Sequence, residues 1–193
     1  GQLIKEGRAI IDVESTEFSL GVGVIYEPAD NVWIGLSYQS SPGFGENKLE
    51  GKSRLILGST PEEIEKAVLY QYLPDVWQFG ARWRPNETTE IRFSGNYIRW
   101  SVLQEHCALG LPEGSSDARE NCDAAPLFIA PRNWEDAMAF RLGGSYWLSD
   151  ASELMVGAGF DQNAVPDSTL EPALIDMDKV TASLGARFVL LDK

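Results

Sequence analysis

Residues 76–100 alternate between apolar and polar side chains on both sides of a short turn. Trp77, Phe79 and Trp83 share one parity, while Gln78 and Arg82 share the other, as in a β-strand with one apolar face. The turn residues at 84–87 predict a hairpin. Its second face carries Arg, Glu, Asn and Gln, which the core of a soluble sandwich would not accept. That face therefore meets bulk water outside a soluble sheet, or lines a wet lumen while the apolar face meets lipid.

The composition favours one β-rich domain over residues 1–193. The chain has 193 residues, 18 glycines and 10% aromatic residues, and few stretches follow the helical period. It contains no apolar run of about 18 residues, so the sequence predicts no transmembrane helix. The formal charge of -13 argues against nucleic acid as a partner, because phosphates would be repelled. We interpret this charge as a solvated acidic surface rather than an acidic binding patch.

The two cysteines, Cys107 and Cys122, lie in one segment rich in Gly, Pro, Ser and Asp. A disulfide between them would close a loop of about 15 residues and contribute about 3 kcal/mol, and it would indicate an oxidising compartment. Metal binding is the weaker alternative. His106 is the single histidine and the chain has no CxxC motif, so we expect no closed zinc site.

The same alternation predicts seven strands. They cover residues 9–26, 32–57, 76–83, 91–97, 134–147, 154–160 and 180–188, the second continuing weakly past the Ser41-Pro42-Gly43 turn. A short helical turn is predicted over residues 60–67, because Thr60 can cap it and Pro61 suits the first helical position.

Two further patterns favour a membrane barrel. Short turns at 28–30, 84–88 and 149–151 alternate with long loops at 58–67, 103–133 and 163–174, which is typical of transmembrane barrels with short periplasmic turns. We therefore expect 103–133 to be a long extracellular loop. Aromatic residues also recur three positions after a glycine near strand ends, which indicates an interfacial girdle or ordinary strand-end aromatics. The four pairs are Gly23/Tyr26, Gly80/Trp83, Gly143/Tyr146 and Gly185/Phe188.

An antiparallel barrel with seven strands cannot close with every pair antiparallel. We therefore expect the chain to be an internal piece of a larger barrel, with the remaining strands supplied by a missing part of the chain or by another chain.

Several segments resemble the outer-membrane long-chain fatty-acid transporter family of the FadL/TodX type. They are GVGVIYEPADNVWIGLSYQS, LPDVWQFGARW, YIRWS, NWEDAMAFRLGGSYWLSD, GFDQNAVPD and VTASLGARF. The resemblance implies a bacterial outer-membrane protein with a fourteen-stranded antiparallel barrel, of which this chain supplies about seven strands. It also implies an N-terminal hatch in the barrel and hydrophobic substrates. The hatch, the strand with the lateral opening and the last strands have no counterpart here, so no ligand residue of the family can be carried over.

The sequence predicts no catalytic residue. Nucleophilic catalysis needs a base near Ser or Cys, and the single histidine, His106, adjoins a predicted disulfide cysteine. No phosphate-binding glycine loop lies between a strand and a helix, so we expect neither an enzyme nor a cofactor. Candidate ligand-binding residues are arginines on the polar face, which could pair with a fatty carboxylate in a partly dry lumen. They are Arg82, Arg92, Arg141 and Arg187. The alternative is that these arginines pair with acids such as Glu90 and Glu153, or with the hatch in the barrel.

Two function classes remain open at this point. The first is an outer-membrane channel for hydrophobic compounds such as long-chain fatty acids, surrounded by membrane lipid and lipopolysaccharide. The second is a barrel whose projecting loops, joined by Cys107 and Cys122, serve as an adhesion or receptor surface without transport. A soluble sandwich is the third structural alternative, and it predicts a chain that stays in solution without detergent.

Overall fold

The computed structural model describes residues 7–57, 63–111, 119, 122, 126–172 and 174–190. Among them no helix has the length and apolar character needed to cross a membrane. The chain divides into two compact units, one of residues 1–18, 42–73 and 102–133 and the other of residues 19–41, 74–101 and 134–193. The described strands are β1 (Gly7–Glu14), β2 (Gly21–Ala29), β3 (Val32–Gln39), β4 (Glu46–Leu57), β5 (Glu63–Tyr72), β6 (Val76–Asn86), β7 (Thr89–Ile98), β8 (Glu105–Leu111), β9 (Phe128–Pro131), β10 (Ala137–Ser149), β11 (Ser152–Asp161) and β12 (Lys179–Phe188).

The second unit is a seven-stranded sheet in the order β12-β11-β10-β7-β6-β3-β2. All its pairings are antiparallel, and each of the seven predicted strands contributes to it. Within the described chain β2 and β12 are edge strands, so this part of the barrel is open. The predicted class, a partial antiparallel β-barrel, is confirmed.

The first unit is a five-stranded sheet in the order β1-β4-β5-β8-β9, and it corrects two predicted strands. The strand predicted over 9–26 is two strands, β1 and β2, with a break between them. The strand predicted over 32–57 is likewise divided into β3 and β4. The second division occurs in a 3-10 turn, Pro42–Phe44, where Gly43 and Phe44 have φ values of 71° and 58°. Proline lacks the amide donor of a ladder and positive φ leaves the extended region, so the strand cannot continue there.

The helical turn predicted over residues 60–67 is wrong for its described part. Residues 63–67 belong to β5, which pairs with β4 along its length and with β8. The backbone hydrogen bonds of β5 to two neighbouring strands outweigh the weak helix preference of a sequence that could cap a helix. Thr60, Pro61 and Glu62 lie outside the described residues.

The segment predicted as a loop over 103–133 contains β8 and β9, which pair antiparallel. The predicted disulfide is present, with the Cα atoms of Cys107 and Cys122 6.1 Å apart. Both cysteines are fully buried. They belong to the apolar core of the five-stranded unit, together with Val68, Tyr70, Leu109 and Leu111.

The apolar face of the seven-stranded sheet is exposed. Phe79 and Phe93 contact each other with ring centroids 5.8 Å apart, and Phe140 lies 6.2 to 6.3 Å from both, yet Phe79 is still 36% exposed and Phe93 39% exposed. The aromatic residues of the predicted girdle are also exposed, at 48% to 64%. They are Tyr26, Trp83, Tyr146 and Phe188.

Candidate functional site

The polar face of the seven-stranded sheet carries the candidate site. The register places Arg82 of β6 directly opposite Arg92 of β7, and Glu90 of β7 opposite Ser145 of β10. Because side chains two residues apart on a strand share a face, Arg82, Arg84, Glu90 and Arg92 all point to the same side. They lie at the end of the sheet where the short turns connect the strands.

Glu90 is the centre of this group and is fully buried. Arg82 donates a hydrogen bond from Nη2 to Glu90 Oε2 at 2.5 Å, and Arg92 donates from Nε to Glu90 Oε1. Arg84 Nε lies 3.5 Å from Glu90 Oε2, too far for a good hydrogen bond. Three guanidinium groups therefore share one carboxylate, which leaves a formal excess of two positive charges. We call Arg82, Arg84, Arg92 and Glu90 the arginine cluster.

Two tryptophans hold the guanidinium groups of the arginine cluster in place. Arg82 Cζ lies 4.6 Å from the ring centroid of Trp33, and Arg84 Cζ lies 4.7 Å from that of Trp147. A cation over an indole face at this distance is attracted by the ring quadrupole. The arginine side chains nevertheless remain 39% to 56% exposed, so N–H groups stay accessible to a further partner.

The other two candidate arginines are paired one to one. Arg187 of β12 donates from Nε to Oε2 of the buried Glu153 at 2.9 Å, directly across the β11–β12 ladder. Arg141 of β10 donates from Nη2 to Asp161 Oδ1 at 2.7 Å. Their charges are thus balanced by one carboxylate each, unlike those of the arginine cluster.

Small residues lie beside the arginine cluster on the same face. Gly80 is opposite Gly35 on one side and Ser94 on the other, and Gly143 is opposite Gly157. A Cβ added at Gly80 would come no closer than 3.5 Å to another atom, and one at Gly143 no closer than 3.6 Å. A methyl group would therefore fit at both positions in ordinary van der Waals contact.

The short-turn end beyond the arginine cluster is acidic. An open cavity between the three turns is lined by Arg84 and Trp147, and also by the acidic residues Asp30, Glu87 and Asp150. A negatively charged group is therefore attracted by the arginine cluster but repelled by the turns below it.

The opposite end of the sheet is tied together by ion pairs outside the strands. Arg99 donates from Nε to Asp75 Oδ1 at 2.6 Å, and this bond raises the pKa of Arg99 above its ordinary value. Asp136 accepts hydrogen bonds from the Tyr97 hydroxyl and from the Ser101 amide. Burial raises the pKa of the Asp136 carboxyl, but these bonds outweigh it and hold the pKa below its usual range.

In the five-stranded unit, Arg119 adds a second attachment to the disulfide-linked segment. It donates from Nε to Glu46 at 2.8 Å and from Nη2 to Glu105 at 2.5 Å. Both bonds raise the pKa of Arg119 above its ordinary value, the bond to Glu46 more than the bond to Glu105. Its guanidinium carbon also lies 5.8 Å from the Tyr70 ring centroid.

The structure brings together two of the four predicted ligand-binding arginines, Arg82 and Arg92, and keeps Arg141 and Arg187 in separate ion pairs. Arg82 and Arg92 pair with Glu90 and Arg187 pairs with Glu153, the acids named in the alternative, whereas Arg141 pairs with Asp161. Sequence reasoning places Arg84 in the turn and therefore misses it, although Arg84 has the parity of Arg82. Trp33 and Trp147 share the polar-face parity on their own strands, and that parity is the signal that could have found them.

Comparison with known proteins decides the family. Residues 4–193 match the family described as "Outer membrane protein transport protein (OMPP1/FadL/TodX)". The chain belongs to this family. The long-chain fatty acid transport protein of Escherichia coli O6:H1 is 25% identical over 183 residues, which cover 89% of the chain and 38% of that protein. The chain of this FadL/TodX-family protein thus spans well under half the length of the curated relatives it matches.

Solved structures of the family share the fold. A FadL homologue of Pseudomonas aeruginosa superposes with a TM-score of 0.77 at 20% identity, over 95% of this chain and 43% of that one. The toluene transporter TbuX of Ralstonia pickettii superposes with a TM-score of 0.63 at 17% identity, over 95% and 42%. Membership of the family makes this FadL/TodX-type chain an outer-membrane β-barrel protein.

Proposed function

We propose that this FadL/TodX-family protein is an outer-membrane channel for hydrophobic compounds, such as long-chain fatty acids, which diffuse through the barrel lumen. The observation that carries the proposal is the inverted pattern of the seven-stranded sheet. Large apolar side chains such as Phe79 and Phe93 are exposed, while the carboxylates of Glu90 and Glu153 are buried under arginines on the other face. Such a sheet suits a wall between acyl chains and an aqueous bore.

In this proposal the apolar face contacts membrane lipid, and the exposed aromatic residues near the short turns lie at the lipid headgroup level. The polar face lines the lumen, and its arginines Arg82, Arg92, Arg141 and Arg187 lie along the path of the ligand. Residues 103–133 project as an extracellular segment and contact lipopolysaccharide. The remaining strands and the hatch complete the barrel.

Uptake tests the proposal directly. Cells that lack their own long-chain fatty acid transport protein would express the full-length protein, and uptake of radiolabelled oleate and laurate would be measured against cells with an empty vector. Saturable uptake that requires the protein supports the channel. Uptake equal to the vector control, with the protein folded in the outer membrane, contradicts it.

One observation favours a second function, an adhesion or receptor surface. The edge strand β9 and the residue before it expose three adjacent apolar side chains, Leu127, Phe128 and Ile129, at 47%, 43% and 38%. Next to the disulfide-linked segment, such a patch could contact a protein partner.

The two functions are separated by deleting residues 104–132 and, as a milder variant, by replacing Leu127, Phe128 and Ile129 with Ser, Thr and Thr. If the protein is a channel, the triple variant keeps oleate uptake at the wild-type rate. If the patch is a receptor surface, both changes abolish cell adhesion while any uptake persists.

A further inference from the structure

The apolar face of the seven-stranded sheet carries a row of aromatic side chains at the end away from the short turns. The register places Tyr38 of β3 opposite Trp77 of β6, and Trp77 opposite Tyr97 of β7. The Tyr38 and Trp77 rings are in contact, with centroids 4.6 Å apart. The strand from Trp77 to Trp83 covers roughly 20 Å, and aromatic girdles flank the apolar band of about 25 Å of a membrane barrel. The row therefore marks the headgroup level of the leaflet opposite the short turns.

An apolar groove leads from this row toward the middle of the sheet. Its volume is about 200 Å³, and its apolar lining comes from Val22 and Val24 of β2, Leu36 of β3, and the rings of Tyr38 and Trp77. The three aliphatic side chains are 47% to 63% exposed. Because lipid tails are as apolar as leucine, a hydrocarbon chain binds here through van der Waals packing in a groove of fixed shape.

A polar group lies at the outer end of the groove. The Tyr38 hydroxyl is hydrogen-bonded to Asp75, which also accepts a hydrogen bond from Arg99 Nε at 2.6 Å. Asp75 is buried, whereas the Arg99 side chain is 50% exposed. Among the described residues the Arg99 side chain has no second hydrogen-bond partner. Its Nη groups therefore remain available as charge-assisted donors to an anion.

The charges around Arg99 restrict the kind of ligand. Asp75 and Asp136 give this group a formal charge of minus one, so it would not hold a free phosphate ion. Both carboxylates already accept hydrogen bonds from the protein, so the exposed edge of the guanidinium still suits a phosphate that is anchored by its own hydrocarbon chain. The ligand that fits is an anionic lipid of the outer leaflet. In an outer membrane that leaflet consists of lipopolysaccharide, whose lipid A part carries phosphate groups and several acyl chains.

We propose that the groove and Arg99 form a site for the lipid A part of lipopolysaccharide on the outside of the barrel wall. One acyl chain lies between Val24 and Leu36, and one phosphate accepts hydrogen bonds from Arg99. This inference rests on the part of the proposed function that places the apolar face in membrane lipid, and it does not require transport. A lipid held in this way fixes the depth of the sheet in the outer leaflet.

The test measures lipid binding to the purified full-length protein by native mass spectrometry from detergent micelles. The probes are lipid A, dephosphorylated lipid A with the same acyl chains, and phosphatidylglycerol. Arg99→Gln removes the cation, and Val24→Phe fills the groove without changing the ion pair of Arg99 and Asp75.

Matched controls come from β12, at the same end of the sheet but outside the groove. Lys179→Gln removes a cation that is paired with an aspartate, Asp176, as Arg99 is paired with Asp75. Val180→Phe enlarges a valine of the apolar face that is 83% exposed.

We expect the wild-type protein to bind lipid A about tenfold more tightly than its dephosphorylated form, the gain typical of one hydrogen bond to a charged group. Arg99→Gln should remove this preference and change binding of the dephosphorylated form less than twofold. Val24→Phe should weaken both forms several-fold. The two control variants should change neither form more than twofold, and inorganic phosphate should not compete.

Three results would overturn the inference. The first is that Arg99→Gln weakens both forms of lipid A equally, which would give Arg99 a purely structural role. The second is that Val24→Phe weakens binding no more than Val180→Phe does. The third is that phosphatidylglycerol binds as tightly as lipid A and responds equally to the variants, which would indicate a general phospholipid contact. Oleate uptake is measured separately: a protein that binds lipid A as expected but takes up no oleate contradicts the channel and leaves the lipid A site.

Discussion

The buried carboxylate of Glu90 gives the sharpest prediction for stability. Replacing it with glutamine keeps the size of the side chain but removes its charge. The amide retains one oxygen acceptor and presents an NH₂ group to guanidinium donors, so one of the hydrogen bonds from Arg82 and Arg92 is lost. The formal charge of the arginine cluster also rises from an excess of two to an excess of three.

The magnitude follows from these contacts. A hydrogen bond to a charged group contributes about 1.5 to 3 kcal/mol, and removing one partner of a fully buried pair costs about 3 to 5 kcal/mol. Here the arginines are 39% to 56% exposed, so they can turn to water and recover part of the loss. We therefore expect Glu90→Gln to lower the free energy of unfolding by about 2 kcal/mol.

The assay is urea unfolding of the full-length protein in phospholipid bilayers, followed by intrinsic tryptophan fluorescence. Glu153→Gln is the matched control, because Glu153 is similarly buried but, among the described residues, accepts a side-chain hydrogen bond from Arg187 alone. Glu153→Gln should lower the free energy of unfolding by half as much, about 1 kcal/mol. A Glu90→Gln variant that is as stable as wild type, or no less stable than Glu153→Gln, would refute the idea that one carboxylate holds three arginines together.

Three further predictions concern other parts of the chain. Replacing Cys107 and Cys122 with alanine removes the restraint on a loop of 15 residues and should raise the open population of that segment by roughly 100-fold, about 3 kcal/mol, measured by hydrogen exchange at Leu109 and Leu111. Gly95→Ala should cost about 1 kcal/mol because its Cβ would lie 2.2 Å from the Phe79 ring, and Phe79→Leu should relieve that cost in a double-mutant cycle on the same urea assay. Burial raises the pKa of Asp176, but hydrogen bonds from Lys179 and backbone amides lower it below its ordinary value of 3.8, so its contribution to stability is present above that value and lost as pH falls through the lower folded pKa. The protection factor of the Ala164 amide, which donates to Asp176, should fall only below about pH 4.

The alternation of side chains predicts the seven strands of the larger sheet because every residue of such a strand lies on either the apolar or the polar face. A one-residue slip would move Phe79 and Phe93 to the face of Arg82 and Arg92, so the pattern and the register carry the same information. The faces of the candidate arginines followed from parity alone.

The partners of those arginines could not be predicted in full, because pairing depends on contacts between strands far apart in sequence. Parity does not distinguish Arg82, which shares Glu90 with two other arginines, from Arg187, which within the described part of the chain is the one arginine paired with Glu153. The division into two sheets cannot be predicted from the sequence for the same reason. The local sequence of β5 resembles a capped helix, and its pairing with β4 and β8 decides otherwise.

The exposed apolar face limits the environments in which this sheet can be stable. Fully burying one large apolar side chain contributes about 1.5 to 3 kcal/mol, and ten such side chains on this face are already partly covered, so about 1 kcal/mol remains for each. Together they correspond to on the order of 10 kcal/mol, as large as the whole stability of a typical domain at about 5 to 15 kcal/mol. In water that amount would favour collapse or aggregation, whereas in acyl chains it favours the sheet as it stands, with Glu90 and Glu153 kept from lipid on the opposite face. The ten side chains are Val22, Val24, Leu36, Phe79, Phe93, Leu142, Leu154, Val156, Val180 and Leu184.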